Sequence, residues 1–544
     1  MVMWDTLEPV GPSRKALFYE RGWWRAQTFL DDLRRTASQQ PGKPAVIAYE
    51  QGLRAKTLSY AELARTADRF AGALTELGVR PGDVVVVHLP NWWMLTPLYL
   101  ACARMGAVVA SVNPPFGGRE LGHLLRDTRA RVCVVADTYN DIDYAGRLLK
   151  VAPDTLGHRV VVGDAAATGA IDFYEFFVQT PWEERHRPDS YPARAADEVM
   201  QLVYTSGTTG QPKGVAHSFN TMWAATRAFS DIYQLGGEDV IAIPHYLTHL
   251  AASCYSVWMS IALGATCVMQ DTTDMELLLD LIEAHGVTLV FGAPVYQLGL
   301  IAGQRAKPRD ISTLRCLNTG AAPVPPPVVA QAREVLGVRL DSNFGMTECG
   351  AITITRAGDP EGWAAHSDGS PVDWMEVQIV AEPGEDVGRL LIRGASLTLG
   401  YLNQRDAFLA SLDEDGWFDT GDTARPDGRG GIRLTGRRVD LIIRETGLLV
   451  PTLEVEALLL QHPAVTDVVL IGYPHPQVPG AEKACAVVVP AGPPPGPALA
   501  ELRQFLDDRQ VAARDWPDRL EIVTELPRNA QGKVLRRELR KEFG

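Results

Sequence analysis

Apolar positions along the chain fall into two alternating patterns. From Ala61 to Leu77 they recur at three- and four-residue spacing, as one face of an amphipathic helix requires, and Gly78 supplies the stop. Val84-Val85-Val86-Val87 follows, an apolar run without polar alternation that fits a strand covered on both faces. Asn91 to Arg104 reads as the next helix and Ala107 to Val112 as the next strand. Strand patterns return at Ala130–Val135, Val160–Val162, Val199–Tyr204 and Val287–Phe291. This order predicts an α/β fold of largely parallel sheets covered by helices. No internal repeat of fixed period is present.

The pattern changes from about Gly369. Short alternating strands at Met375–Ile379, Gly388–Arg393 and Gly431–Thr435, separated by Gly, Asp and Pro turns, predict a β-rich subdomain. Beyond Arg438 a compact α+β unit fits, with a helix from Pro451 to His462 and strands at Val465–Ile471 and Lys483–Val489. Pro490 to Pro497 is then a loop inside that unit. A length of 544 residues exceeds what one hydrophobic core supports. The expected division is a large domain over 1–437 and a small, mobile domain over 438–544.

Composition narrows the function. With 46% apolar and 22% charged residues the chain resembles an ordinary globular protein, and its net charge of −14 argues against a nucleic-acid binder. The seven cysteines are scattered without a CxxC pair, which fits reduced thiols better than a disulfide framework or a zinc site. The first residues lack the pattern of a signal peptide, and the apolar run Trp92 to Ala101 is short and interrupted by Pro97. No integral membrane segment is expected, and the expected location is cytoplasmic.

Val203-Tyr204-Thr205-Ser206-Gly207-Thr208-Thr209-Gly210-Gln211-Pro212-Lys213-Gly214 is the most informative stretch. A buried strand runs into glycines that let backbone N–H groups approach phosphate oxygens, with hydroxyl donors and one cation, Lys213. It is not a P-loop NTPase motif, because Pro212 precedes the lysine and Gly214 follows it. The segment from Tyr204 to Gly214 resembles the phosphate loop of the adenylate-forming superfamily: acyl- and aryl-CoA ligases, peptide-synthetase adenylation domains and firefly luciferase. Further segments resemble that superfamily's motifs in order. Asn343-Phe344-Gly345-Met346-Thr347-Glu348 matches its second core motif: an aromatic face suits adenine, and the Asn343 amide offers donors and an acceptor to a purine edge. The resemblance implies that Thr347 contacts the α-phosphate and Glu348 binds Mg²⁺. Gly320-Ala321-Ala322-Pro323 resembles the turn along the adenine and the acyl group, with Ala321 in place of the usual second glycine. Asp422, in Gly416-Trp417-Phe418-Asp419-Thr420-Gly421-Asp422, is implied to hold the ribose hydroxyls together with Arg437, whereas Asp419 reads as structural. Leu526-Pro527-Arg528-Asn529-Ala530-Gln531-Gly532-Lys533 resembles the C-terminal signature, with Lys533 as the catalytic lysine.

The implied cofactor and substrates are Mg²⁺, ATP, a carboxylic acid and CoA. The acid forms an acyl-adenylate, the CoA thiol takes the acyl group, and the small domain swings between the two steps. Two departures stand out. The hinge of Gly436-Arg437-Arg438-Val439-Asp440 falls on Val439 or Asp440, depending on which arginine is aligned. In Pro244-His245-Tyr246-Leu247-Thr248-His249-Leu250-Ala251 a leucine, Leu247, stands where relatives carry a histidine or aromatic residue; His245 or His249 takes that place, or both only pack. The segment lacks the aspartate that pairs with an amino-acid ammonium. A pocket of Ala251, Ala252, Ala321, Tyr246, Phe291, Met346 and Cys349 suits a bulky, uncharged aliphatic, alicyclic or aryl acid. Rival readings are transfer of the acyl group to a carrier protein, and a catalytically silent nucleotide-binding homologue. The oligomeric state stays open, a homodimer included.

Overall fold

A computed structural model of the chain describes residues 4, 7, 10–205, 212–322, 324–437, 440, 442–444, 449–478, 481–493, 495–509, 511–528 and 534–544. The first predicted helix runs over Tyr60–Glu76. Ser59 and Glu62 cap it reciprocally: Ser59 N–H donates to Glu62 Oε2 at 2.8 Å and Glu62 N–H to Ser59 Oγ at 3.3 Å. Its inner face, Tyr60, Leu63, Ala67, Phe70 and Leu74, is buried. The second helix starts at Leu95 rather than Asn91, because Pro90, Asn91 and Trp92 form a turn in which Asn91 Nδ2 donates to the carbonyls of His245 and Gln270.

Two large sheets carry the N-terminal part. One holds seven described strands in the order Lys213–Ser218, Val199–Thr205, Val108–Ser111, Val84–His88, Val132–Ala136, His158–Val162 and Ile171–Asp172. All its pairings are parallel except the first, so Lys213–Ser218 is an antiparallel edge strand. The other holds nine described strands, parallel through its middle, with antiparallel pairs at both ends. A third sheet, Met375–Val380, Gly388–Gly394, Phe418–Pro426 and Ile432–Arg437, is antiparallel throughout.

The fold is α/β, with a large N-terminal domain and a small C-terminal one. In the small domain the helix Thr452–Leu459 and the sheet Val465–Pro474, Glu482–Pro490 and Arg519–Ile522 enclose apolar clusters of their own. All seven cysteines are buried and free. No helix among the described residues is long and apolar enough to cross a membrane.

Two histidines of the large domain, His88 and His217, are almost fully enclosed. Burial pushes each from the ordinary 6.5 down to about 4. The unfolded chain therefore binds more protons than the folded one between pH 6.5 and 4, and the stability these groups carry declines as pH falls through that window. The melting temperature is expected to drop steadily from pH 6.5 towards pH 4; a constant midpoint across the window would contradict the burial of neutral imidazoles.

Candidate nucleotide site

The strands Val199–Thr205 and Lys213–Ser218 form a hairpin whose stem closes at the pair Thr205 and Lys213. Ser206, Gly207, Thr208 and Thr209, expected to cradle phosphates, lie in the connection, outside the described residues. The stem itself is braced from both sides. The Tyr204 hydroxyl donates to Asp127 Oδ2 at 2.7 Å, and Asn403 Nδ2 donates to the Asp127 carbonyl and Oδ1. Gly214 packs on the Tyr204 ring so closely that a Cβ would lie 2.9 Å from Cζ, which leaves glycine the residue that fits.

The edge strand Lys213–Ser218 is covered by residues 398–402. Leu402 N–H donates to the Gly214 carbonyl, Leu399 N–H and the Thr398 hydroxyl donate to the Ala216 carbonyl, and Val215 pairs with Tyr401. This segment also reaches the second motif, where Thr347, Glu348 and Cys349 turn the strand Leu340–Met346 into Gly350–Ile354. Thr398 N–H donates to the Glu348 carbonyl at 2.6 Å, and the Tyr401 hydroxyl donates to Glu348 Oε1 at 2.7 Å. Lys213 Nζ sits over the Tyr401 ring, 4.6 Å from its centroid. Thr347 is fixed from below: neutral His217 donates from Nε2 to its carbonyl at 2.8 Å, and His217 Nδ1 faces the Thr221 hydroxyl at 3.2 Å. The residues expected at opposite ends of a triphosphate, Lys213 and the Thr347–Glu348 turn, are thus held by one strap. Tyr401 and His217 are the residues that the motif reading missed.

Gly320, Ala321 and Ala322 follow the strand Cys316–Thr319, which pairs with Leu340–Met346. Gly320 is buried against Asn343, where a Cβ would come within 2.9 Å of Nδ2. Ala321 is exposed at φ 68°, the left-handed region that glycine favours. Phe344 is buried, Met346 half-buried, and Gly345 has its α-carbon so near the Gly350 carbonyl that a Cβ would meet that oxygen at 2.5 Å. Asn343 differs from the sequence reading. Side chains alternate along a strand, so Asn343 and Phe344 face opposite ways. Asn343 Nδ2 donates to Asn318 Oδ1 and to the Thr319 carbonyl, while Asn318 Nδ2 donates to the Tyr233 hydroxyl at 2.8 Å. Both donors of the Asn343 amide are committed inside the protein.

Asp422 and Arg437 are cross-strand partners, and Arg437 Nε meets Asp422 Oδ1 at 3.0 Å. Asp419 accepts from Gly421 N–H at 2.9 Å and pairs with Arg389, a turn-forming role. Of the two hinge candidates, Val439 lies outside the described residues. Asp440 lies 3.8 Å from Arg536 Nε, and Arg536 grips Glu456 with two contacts of 2.7 Å. Lys533 also lies outside the described residues; the residues flanking its loop, Arg528 and Val534, pair as an antiparallel bridge. Arg444 is held within the small domain by the Arg514 and Trp516 carbonyls and Asp518.

In the segment from Pro244 to Ala251, Leu247 is buried, its N–H donating to Asn91 Oδ1 at 2.8 Å. His245 and His249 flank it with ring centroids 4.9 Å apart, beside Tyr246 and Tyr296. Burial lowers His245 to about 3, with the His249 ring contributing, and lowers His249 to about 4. Both rings are neutral at physiological pH. Phe229, Tyr255 and Phe291 form an aromatic cluster with centroids 4.1 to 6.0 Å apart.

A profile of the AMP-binding enzyme family matches residues 33–402, and one of the AMP-binding enzyme C-terminal domain matches residues 454–533. A salicyl-AMP ligase / salicyl-S-ArCP synthetase of Mycobacterium tuberculosis is 32% identical over 550 residues, covering 98% of this chain and 94% of that protein. The medium-chain fatty-acid–CoA ligase of Escherichia coli is 28% identical over 539 residues, covering 97% and 93%. Among solved structures, the anthranilate CoA ligase AuaEII in complex with anthranoyl-AMP superposes with a TM-score of 0.79 at 25% identity, covering 95% of this chain and 97% of the other.

The conformation of Ala321 yields a stability test. A side-chain-bearing residue in the left-handed region costs roughly 1–2 kcal/mol, and β-branching raises that cost. Ala321→Val is expected to lose about 1 kcal/mol or more in urea unfolding, while Ala321→Gly stays within about 1 kcal/mol of the parent. A valine variant as stable as the parent would contradict the turn geometry.

Proposed function

Given that the chain belongs to the AMP-binding enzyme family and is an adenylate-forming, AMP-producing acid–thiol ligase, we propose that it joins a bulky, uncharged aliphatic, alicyclic or aryl acid to the thiol of CoA. The observation that carries this reading is the convergence of Lys213 and the Thr347–Glu348 turn on the strap 398–402. In this reading Lys213, with Thr205, Ser206, Gly207, Thr208 and Thr209, holds the β- and γ-phosphates. Thr347 holds the α-phosphate, Phe344 covers the adenine beside Gly320, Ala321, Ala322, Gly345 and Met346, and Asp422 with Arg437 receives the ribose hydroxyls. Glu348 fits a hard cation: Oε1 is taken by Tyr401, and no described residue donates to Oε2. One carboxylate oxygen joined by phosphate oxygens is a common way to hold Mg²⁺, which when bound would offset phosphate charge.

The substrate carboxylate oxygen attacks the α-phosphorus and pyrophosphate departs. Lys533 neutralises charge on the oxygens around that phosphorus. The small domain, assigned to 438–544, then turns about Val439 or Asp440 and withdraws Lys533. The CoA sulfur attacks the acyl carbonyl carbon, AMP leaves, and the thiol proton passes to solvent. The pocket reading draws on the neutral His245 and His249, the cluster of Phe229, Tyr255 and Phe291, and the small residues Ala251 and Ala252. No carboxylate stands between Pro244 and Ala251 to pair with an ammonium. A second reading, transfer to the thiol of a carrier protein, is favoured by the likeness to the salicyl-S-ArCP synthetase.

A panel of acids scored for ATP–pyrophosphate exchange and, by mass spectrometry, for acyl-CoA separates these readings. Exchange with acyl-CoA formation is expected. Exchange without thioester would favour the carrier, and the absence of both would contradict the ligase assignment. Lys533→Ala is expected to slow adenylation by about 100-fold or more, the scale of losing one preorganised transition-state donor. An unchanged exchange rate would remove Lys533 from the first step.

A further inference from the structure

Tyr401 belongs to none of the motifs, yet it touches the two charged side chains on which the proposed nucleotide site turns. Its ring face lies under the Lys213 ammonium and its hydroxyl donates to the Glu348 carboxylate. The ring has little freedom. It is 3% exposed, Phe408 meets it edge-on at 5.6 Å, and its backbone is bridged to Val215. A leucine or phenylalanine would fill the same space, but neither offers a cation-binding face together with an anion-binding hydroxyl.

We propose that Tyr401 is a positioning residue that keeps the Lys213 ammonium and the Glu348 carboxylate from pairing with each other, so that each remains available to MgATP. An ammonium and a carboxylate that share a neighbour gain by direct contact in a partly desolvated site, and the two would then have to be separated before binding phosphate or metal. Tyr401 satisfies both without uniting them: the ring quadrupole holds the cation and the O–H holds the anion. The strap enforces the arrangement, since Leu402 N–H is bonded beside Lys213 and Thr398 N–H is bonded at Glu348. This inference rests on the assignment of Lys213 and Glu348 to the nucleotide.

The test measures ATP binding by calorimetry, without and with Mg²⁺, alongside the KM and kcat of acid-dependent exchange. Removing the ring in Tyr401→Leu is expected to weaken Mg²⁺-free ATP binding about 5- to 10-fold, as Glu348 captures Lys213. Adding Glu348→Gln to that variant is expected to restore the binding, because the amide cannot capture the ammonium. Tyr401→Phe keeps the ring: its Mg²⁺-free ATP affinity should stay within about 2-fold, while the Mg²⁺ concentration for half-maximal exchange rises. Unchanged ATP binding in Tyr401→Leu, or a loss that Glu348→Gln does not relieve, would reduce Tyr401 to packing and overturn the proposal. Should the leucine variant fail to fold, an unshifted Mg²⁺ dependence in Tyr401→Phe would overturn it. Lys213→Met serves as the separate control. Unchanged ATP binding in that variant would sink the site assignment itself.

Discussion

Two hydrogen bonds from one short segment hold the site together: Leu402 N–H to the Gly214 carbonyl and Thr398 N–H to the Glu348 carbonyl. Through them the edge of the seven-stranded sheet and the hairpin Leu340–Met346 to Gly350–Ile354 of the nine-stranded sheet are fixed against each other. The constraint is geometric. Lys213 begins the first of these strands, and Glu348 lies in the turn that closes the second. Neither sheet alone brings the cation and the carboxylate to a common neighbour. The arrangement also removes a hazard, since an uncovered edge strand carrying free N–H and C=O groups invites pairing with other chains.

The large apolar core beneath both sheets makes this possible. Valines on the parallel strands Val84–His88 and Val132–Ala136 are buried on both faces, which leaves the loops at strand ends as the places where polar chemistry can stand. His217 shows how the interior serves the site. An imidazole kept neutral by burial donates to the Thr347 carbonyl, and so orients the turn from inside the protein without placing charge there. Asn318 acts similarly on Asn343, passing a chain of amide contacts from Tyr233 to the strand that carries Phe344.

Much of this was legible from local pattern. Val84–Val87 and Ala61–Leu77 formed their strand and helix because period and capping agree with burial, with Ser59 and Glu62 fixing the helix start. The segment from Thr205 to Lys213 was recognisable as a motif because it is contiguous. Tyr401 was not, because its relation to Glu348 spans 53 residues and exists through a strand pairing that no local spacing encodes. The Asn343 donors were misjudged for a related reason. Alternation along the strand turns the side chain toward Asn318, and that partner lies 25 positions earlier. Local spacing likewise did not reveal that the Leu247 N–H is anchored by Asn91, 156 positions away.

The proposed function requires that a single nucleotide bridge Lys213, the Thr347–Glu348 turn and the Asp422–Arg437 pair. A crystal structure of the protein soaked with ATP and Mg²⁺ tests it most directly. Adenine is expected against Phe344, ribose hydroxyls on Asp422, and the triphosphate running between Thr347 and Lys213 with Glu348 on the metal. A nucleotide bound elsewhere, with Lys213 and Glu348 untouched, would contradict it.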